Sequence, residues 1–134
     1  MMEQGMSDTT VSRTVSIEFN IGEDFLSDIL TTACEGGIGY WSQLKDYDCD
    51  RDHHYIREYD DYSDEIAADH EWFRIDHDLV MKGLHYMMDP NFEVADYIRK
   101  YVYLAITESD AGHIDADAAD CIIQAGVYGE LVYG

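Results

Sequence analysis

Residues 43 to 72 read QLKDYDCDRDHHYIREYDDYSDEIAADHEW, and from residue 46 to 71 there are eleven acids against two bases, Arg51 and Arg57. Carboxylates packed this densely can ligate a metal ion, can present to a basic protein what a phosphate backbone presents, or can keep a hairpin edge solvated. No catalytic motif accompanies them. Asp46, Asp48, Asp50 and Asp52 sit two apart, so on a strand all four face one side, spaced by roughly 6.5–7 Å. A ladder of like charges opposes folding. Its retention points to a use, and pairing with the Lys and Arg of a nucleic-acid-binding groove is such a use. Interleaved aromatic rings add the anchoring area that interfaces favour. The candidate partner-binding set is therefore Asp46, Tyr47, Asp48, Asp50, Asp52, Tyr55, Glu58, Tyr59, Asp60, Asp61, Asp64, Glu65, Asp69, Glu71 and Trp72.

Metal and thiol chemistry fit less well. The stretch TESDAGHIDADA resembles a calcium loop at Gly112, Ile114 and Asp115. It has Thr107 at the first position, Ala111 at the fifth and Ala118 where a bidentate Glu is needed, so it reads as a turn with Asp115 as a helix cap. No metal and no cofactor is expected. Cys34, Cys49 and Cys121 lack metal spacing and read as free thiols of a reducing compartment. The string CEGGIGYW, residues 34 to 41, offers Cys34 as a nucleophile and Tyr40 and Trp41 as binding platforms beside Gly36 and Gly37. No oriented His–acid pair supports the thiol. The structural alternative is a helix end feeding a strand whose aromatics enter the core.

These residues must be positioned by a small set of elements. Val15, Ile17, Phe19 and Ile21 alternate with polar residues, which predicts a first strand over 14–21. Phe25, Leu26, Ile29, Leu30 and Ala33 share a helical face, stopped by Gly36 and Gly37. Three strands follow, around 38–50, 53–60 and 71–76. Asp76 caps a helix carrying Leu79, Val80, Leu84, Met87 and Met88. Asp89-Pro90 ends it and starts the next, with Val94, Ile98, Tyr101, Val102 and Ala105. A last helix runs through Ala118, Ile122 and Ala125. The order β-α-β-β-β-α-α-α predicts an α+β fold, a small antiparallel sheet covered by about four helices. Residues 1–10 read as a flexible lead-in and 11–134 as one globular domain.

The chain has 134 residues and a net charge of −21, from 8 basic and 29 acidic residues. Such a field repels nucleic acid and anionic membranes and attracts basic surfaces. Three readings follow: a nucleic-acid mimic, a protein adapted to high salt, and a merely soluble acidic domain. No apolar run reaches the length of a transmembrane helix and the first residues lack an apolar signal core, so a cytoplasmic location is expected.

LTTACEGGIGYW and ADCIIQAGVYGELVYG together resemble a group of small acidic proteins, mostly uncharacterised, of bacteriophages and mobile elements. The resemblance covers both ends and much of the helical part, and not the acidic stretch. It implies a phage-type accessory protein in a host cytoplasm and supplies no catalytic residue. By analogy with anti-restriction and anti-CRISPR proteins, it points to an inhibitor of host defence. The expected partner is a basic nucleic-acid-binding host protein, with no direct contact to nucleic acid or membrane and with homodimerisation open. The alternative is an enzyme or small-ligand binder using the Gly36-Gly37 loop.

Overall fold

The computed structural model describes residues 12–59 and 71–134. Helix α1 (Glu23–Thr32) places Leu26, Ile29 and Leu30 inward, as the periodicity predicts. It does not stop at once. The chain runs on as a π-helical turn, Ala33–Gly37, closed by Ile38 N–H donating to the Ala33 carbonyl at 2.9 Å. Three strands follow, β1 (Ser42–Lys45), β2 (His53–Glu58) and β3 (Phe73–Asp76). They pair antiparallel in the order β1-β2-β3. Helices α2 (His77–Met88), α3 (Asp96–Glu108) and α4 (Ala116–Tyr128) complete the order, with a 3-10 turn at Ala111–His113. The expected α+β class, an antiparallel sheet with four helices, is what forms.

Short-range signals hold well. Asp76 caps α2 by accepting from Leu79 N–H at 3.0 Å, and Asp115 caps α4 by accepting from Ala118 N–H at 2.8 Å. Each satisfies one donor that the first helical turn leaves free. The closest helix pair is α2 with α4, and two glycines permit it. A Cβ on Gly83 would lie 2.1 Å from the Ile122 carbonyl oxygen, and one on Gly126 would lie 2.6 Å from that of Leu79. Only glycine lets the backbones approach this closely. The core runs from α1 through Ile38 and Trp41 to Ile56 and Ile75 of the sheet, then Val80, Met87, Val102, Ile122 and Ile123 of the helices.

Three expectations need correction. The alternating segment 14–21 forms no strand. It has no sheet partner among the described residues, and Val15 and Ile17 are 84% and 72% exposed. Alternation makes a strand possible, but a ladder of hydrogen bonds from a neighbour makes it real. Pro90 does not start α3, which begins at Asp96 after an irregular stretch. Arg99 reaches back from α3 to cap the end of α2, donating to the carbonyls of Met87 at 3.0 Å and Asp89 at 2.5 Å, and also to that of Phe92. Third, Asp46, Asp48, Asp50 and Asp52 lie on no strand. Strand β1 ends at Lys45 and β2 starts at His53, so the four carboxylates occupy the connecting turn. The lead-in at residues 1–10 lies outside the described residues.

Candidate functional site

The β1–β2 turn is built by local hydrogen bonds. Asp46 takes a left-handed backbone conformation, φ 47°, which aspartate tolerates better than most residues. The Asp48 carboxylate accepts from Asp50 N–H at 3.0 Å, and Arg51 N–H donates to the Asp48 carbonyl at 3.0 Å. This side-chain-to-backbone bridge fixes the turn. Asp46, Asp48, Asp50 and Asp52 are all exposed. Arg51 offers Asp48 a loose pair at 3.9 Å, and His53 bonds Asp52 at 2.9 Å. That His53 contact holds the Asp52 carboxyl below its usual range. The ligand atoms of Asp48, Cys49 and Asp50 lie within 4.8 Å of one another on the same exposed turn. The Tyr47 hydroxyl donates to Glu35 at 2.5 Å, and its ring leans on His54, 4.9 Å between centres.

The other candidate residues divide. Tyr55 is exposed on the outer face of β2, opposite Lys45 of β1 and Arg74 of β3. Trp72 lies beneath two cations, with the Arg57 guanidinium 4.5 Å and the Lys45 ammonium 5.5 Å from its ring centre. Glu58 accepts from the Tyr128 hydroxyl of α4. Tyr59 N–H donates to the Trp41 carbonyl at 3.0 Å, and Glu71 is exposed. Asp60, Asp61, Asp64, Glu65 and Asp69 lie outside the described residues. Among the described residues, Asp46, Asp48, Asp50 and Asp52 sit on the turn, while Trp72 and Tyr55 share the sheet surface with Lys45, Arg57 and Arg74.

A second centre joins the segment after α1 to α4 and the C-terminal segment. Trp41 is buried, and its indole N–H donates to Asp120 of α4 at 2.8 Å across 79 residues of sequence. The Tyr40 hydroxyl donates to the other Asp120 oxygen at 2.6 Å, and the Gln124 amide donates to the first at 2.9 Å. The Gln124 oxygen accepts from both Val132 and Tyr133 N–H at 2.8 Å, and its nitrogen donates to the Tyr133 carbonyl at 3.3 Å. One buried side-chain amide does for the C-terminal segment what a neighbouring strand would do. The Tyr133 ring then stacks on Trp41, 4.9 Å between centres and 8° from parallel. Gly37 makes this junction fit, because a Cβ there would lie 2.7 Å from the Ala116 carbonyl oxygen. Thus CEGGIGYW and ADCIIQAGVYGELVYG, read separately in the sequence, form one unit in space. Sequence reasoning missed Asp120 and Gln124. Their signal was two polar residues four apart inside the apolar run of a helix, where solvation alone would not put them.

Cys34 and Cys121 lie in surroundings that disfavour the thiolate. Burial pushes the Cys34 thiol up to about 12, with Glu35 adding to the shift, and burial pushes Cys121 up to about 11. A nucleophilic cysteine needs the opposite environment. Among the described residues, no helix is long and apolar enough to cross a membrane. No protein-family model, curated protein or solved structure matches the chain.

Proposed function

We propose that the protein is a non-enzymatic inhibitor of phage type, whose acidic surface occupies the nucleic-acid site of a basic host protein in the host cytoplasm. The observation that carries this reading is the β1–β2 turn. Four exposed carboxylates stand on seven residues of a turn already fixed by its own hydrogen bonds. A prefixed turn loses little conformational freedom on binding. Its carboxylates can pair with the Lys and Arg that normally hold phosphates. The net charge of −21 draws a basic partner toward this surface and raises the encounter rate. The arrangement on the sheet narrows the binding face. Lys45 and Arg57 already cover Trp72, so a basic partner meets the turn and not that ring.

The test is a pull-down from host lysate, followed by competition of the captured protein with DNA or RNA. Mimicry requires that nucleic acid and this protein exclude each other, and that binding weaken steeply as salt rises. Substituting Asp46, Asp48, Asp50 and Asp52 by Asn keeps shape and removes four charges. At about 1 kcal/mol per lost contact, affinity falls roughly a thousandfold. A control set of exposed acids, Asp78, Glu93, Asp96 and Glu130 changed to their amides, removes the same charge elsewhere and costs far less. Equal affinity for both quadruple variants, or a partner that binds nucleic acid and this protein together, overturns the reading.

A further inference from the structure

A groove of about 530 Å³ opens between α3, the start of α4 and the C-terminal segment. Its lining includes Tyr40, Tyr97 and Tyr133 and two acidic residues, Asp117 and Asp120. Tyr40 and Tyr97 are 57% and 54% exposed, so a ligand reaches their rings from solvent. Asp117 is exposed, one turn before Asp120 on α4.

Asp120 is the unusual member. It is only 7% exposed, and its three partners, Tyr40, Trp41 and Gln124, all act as donors. A group that only accepts stands as a carboxylate. Its partners are all neutral, so they satisfy its hydrogen bonding and leave its charge without a counter-ion. Burying an uncompensated charge is costly. Among the described residues, no Lys, Arg or His lines the groove, and neither carboxylate joins an ion pair. The neighbouring Cys121 thiol reports the same negative field, since Asp120, Asp117 and Asp115 each add to the upward shift that burial begins.

We propose that this groove binds a guanidinium group, stacked on the exposed phenol rings and hydrogen-bonded to Asp117. A carboxylate offers about four lone-pair sites, so Asp120 keeps one beyond its three donors for a guanidinium N–H. Guanidinium fits better than ammonium because it is planar, weakly hydrated and able to stack on a ring while its N–H groups point in plane at a carboxylate. The volume falls within the usual small-ligand range of about 300–1,000 Å³. The group arrives either on a free alkylguanidine or on the arginine of a peptide. The groove uses no residue of the acidic turn, so this inference stands apart from nucleic-acid mimicry.

The experiment is an NMR titration of the full chain at physiological salt with butylguanidinium, butylammonium and a capped Ala-Arg-Ala peptide. Saturable upfield shifts of the butylguanidinium methylene protons are expected, because stacked rings shield them, together with shifts of the Asp117 and Cys121 amides. Tyr97→Leu removes the upfield shift. Asp117→Asn weakens binding about tenfold, the loss of one charge-assisted hydrogen bond, and Asp78→Asn, a matched charge loss elsewhere, has little effect. Both groove substitutions are at exposed positions, and an unchanged melting temperature confirms that each variant folds. Equal affinity for peptide and butylguanidinium makes the free group sufficient, and a peptide tighter by tenfold or more assigns the source to a protein chain. Non-saturating shifts shared by every variant, or butylammonium binding as well as butylguanidinium, overturn the proposal.

Discussion

The acidic turn and the Asp120 centre both rest on carboxylates, and they spend them in opposite ways. On the turn, four charges stand exposed to water, with only Arg51 loosely beside Asp48 and the His53 ring bonded to Asp52, so they add little to the fold. At Asp120 one charge is nearly out of water and is tied by three donors to Tyr40, Trp41 and Gln124. Through Gln124 and the Tyr133–Trp41 stack, that charge ties the segment around Trp41 to the C-terminal residues. Counting acids in the sequence draws attention to the turn. Burial moves the structural weight to Asp120, the buried aspartate of α4.

The sharpest break in this contrast is Trp41→Ala. It removes a ring that is 2% exposed, its stack with Tyr133 and one donor to Asp120. A loss of about 3–5 kcal/mol is expected, lowering the melting temperature by roughly 10–20 °C. A melting temperature within a degree or two of wild type would show that the junction contributes nothing to stability.

Gln124→Leu is next. It keeps volume but leaves the N–H groups of Val132 and Tyr133 without their acceptor. The expected cost is about 1–3 kcal/mol. Amide hydrogen exchange should quicken at Val132 and Tyr133 first, while the amides of β2 keep their protection.

A smaller effect concerns pH and lies under the acidic turn. His54 is 3% exposed with Nδ1 unpartnered, and burial holds its imidazole below the ordinary 6.5, helped by His53 and Arg51. The folded state therefore binds that proton less readily than the unfolded state. Stability from this site is fully present above 6.5 and is lost as pH falls from 6.5 toward the depressed folded value. Denaturant titrations of wild type and His54→Phe across this window should show the wild type losing more. Parallel curves would place the acid sensitivity elsewhere.

The smallest effect on folding is expected where the charge is densest. Changing Asp46, Asp48, Asp50 and Asp52 to Asn should shift stability by no more than about 0.5 kcal/mol, because all four are exposed and Asn keeps the acceptor at position 48. Melts at low and molar salt complete the comparison. A fold equally stable in both removes adaptation to high salt as the reason for the charge.

By itself the sequence determined what is local. Helical periods, the Asp76 and Asp115 caps and the pattern of β2 each depend on residues within about one turn or one strand of each other, and each appears where it was read, except that α3 starts at Asp96 and leaves Val94 outside it. The tertiary structure decided the rest. Residues 14–21 have the alternation of a strand and, among the described residues, no partner to make one. Residues 46, 48, 50 and 52 have the spacing of a charged ladder but fall on a turn, because Asp46 takes a positive φ and Asp48 bridges back to Asp50. The Asp120 centre needs donors from 79 and 80 positions earlier in the chain, and no local pattern records which distant groups will satisfy a buried polar side chain. Propensity and capping act over a few residues, whereas strand pairing and burial of charge are settled only when the whole chain packs.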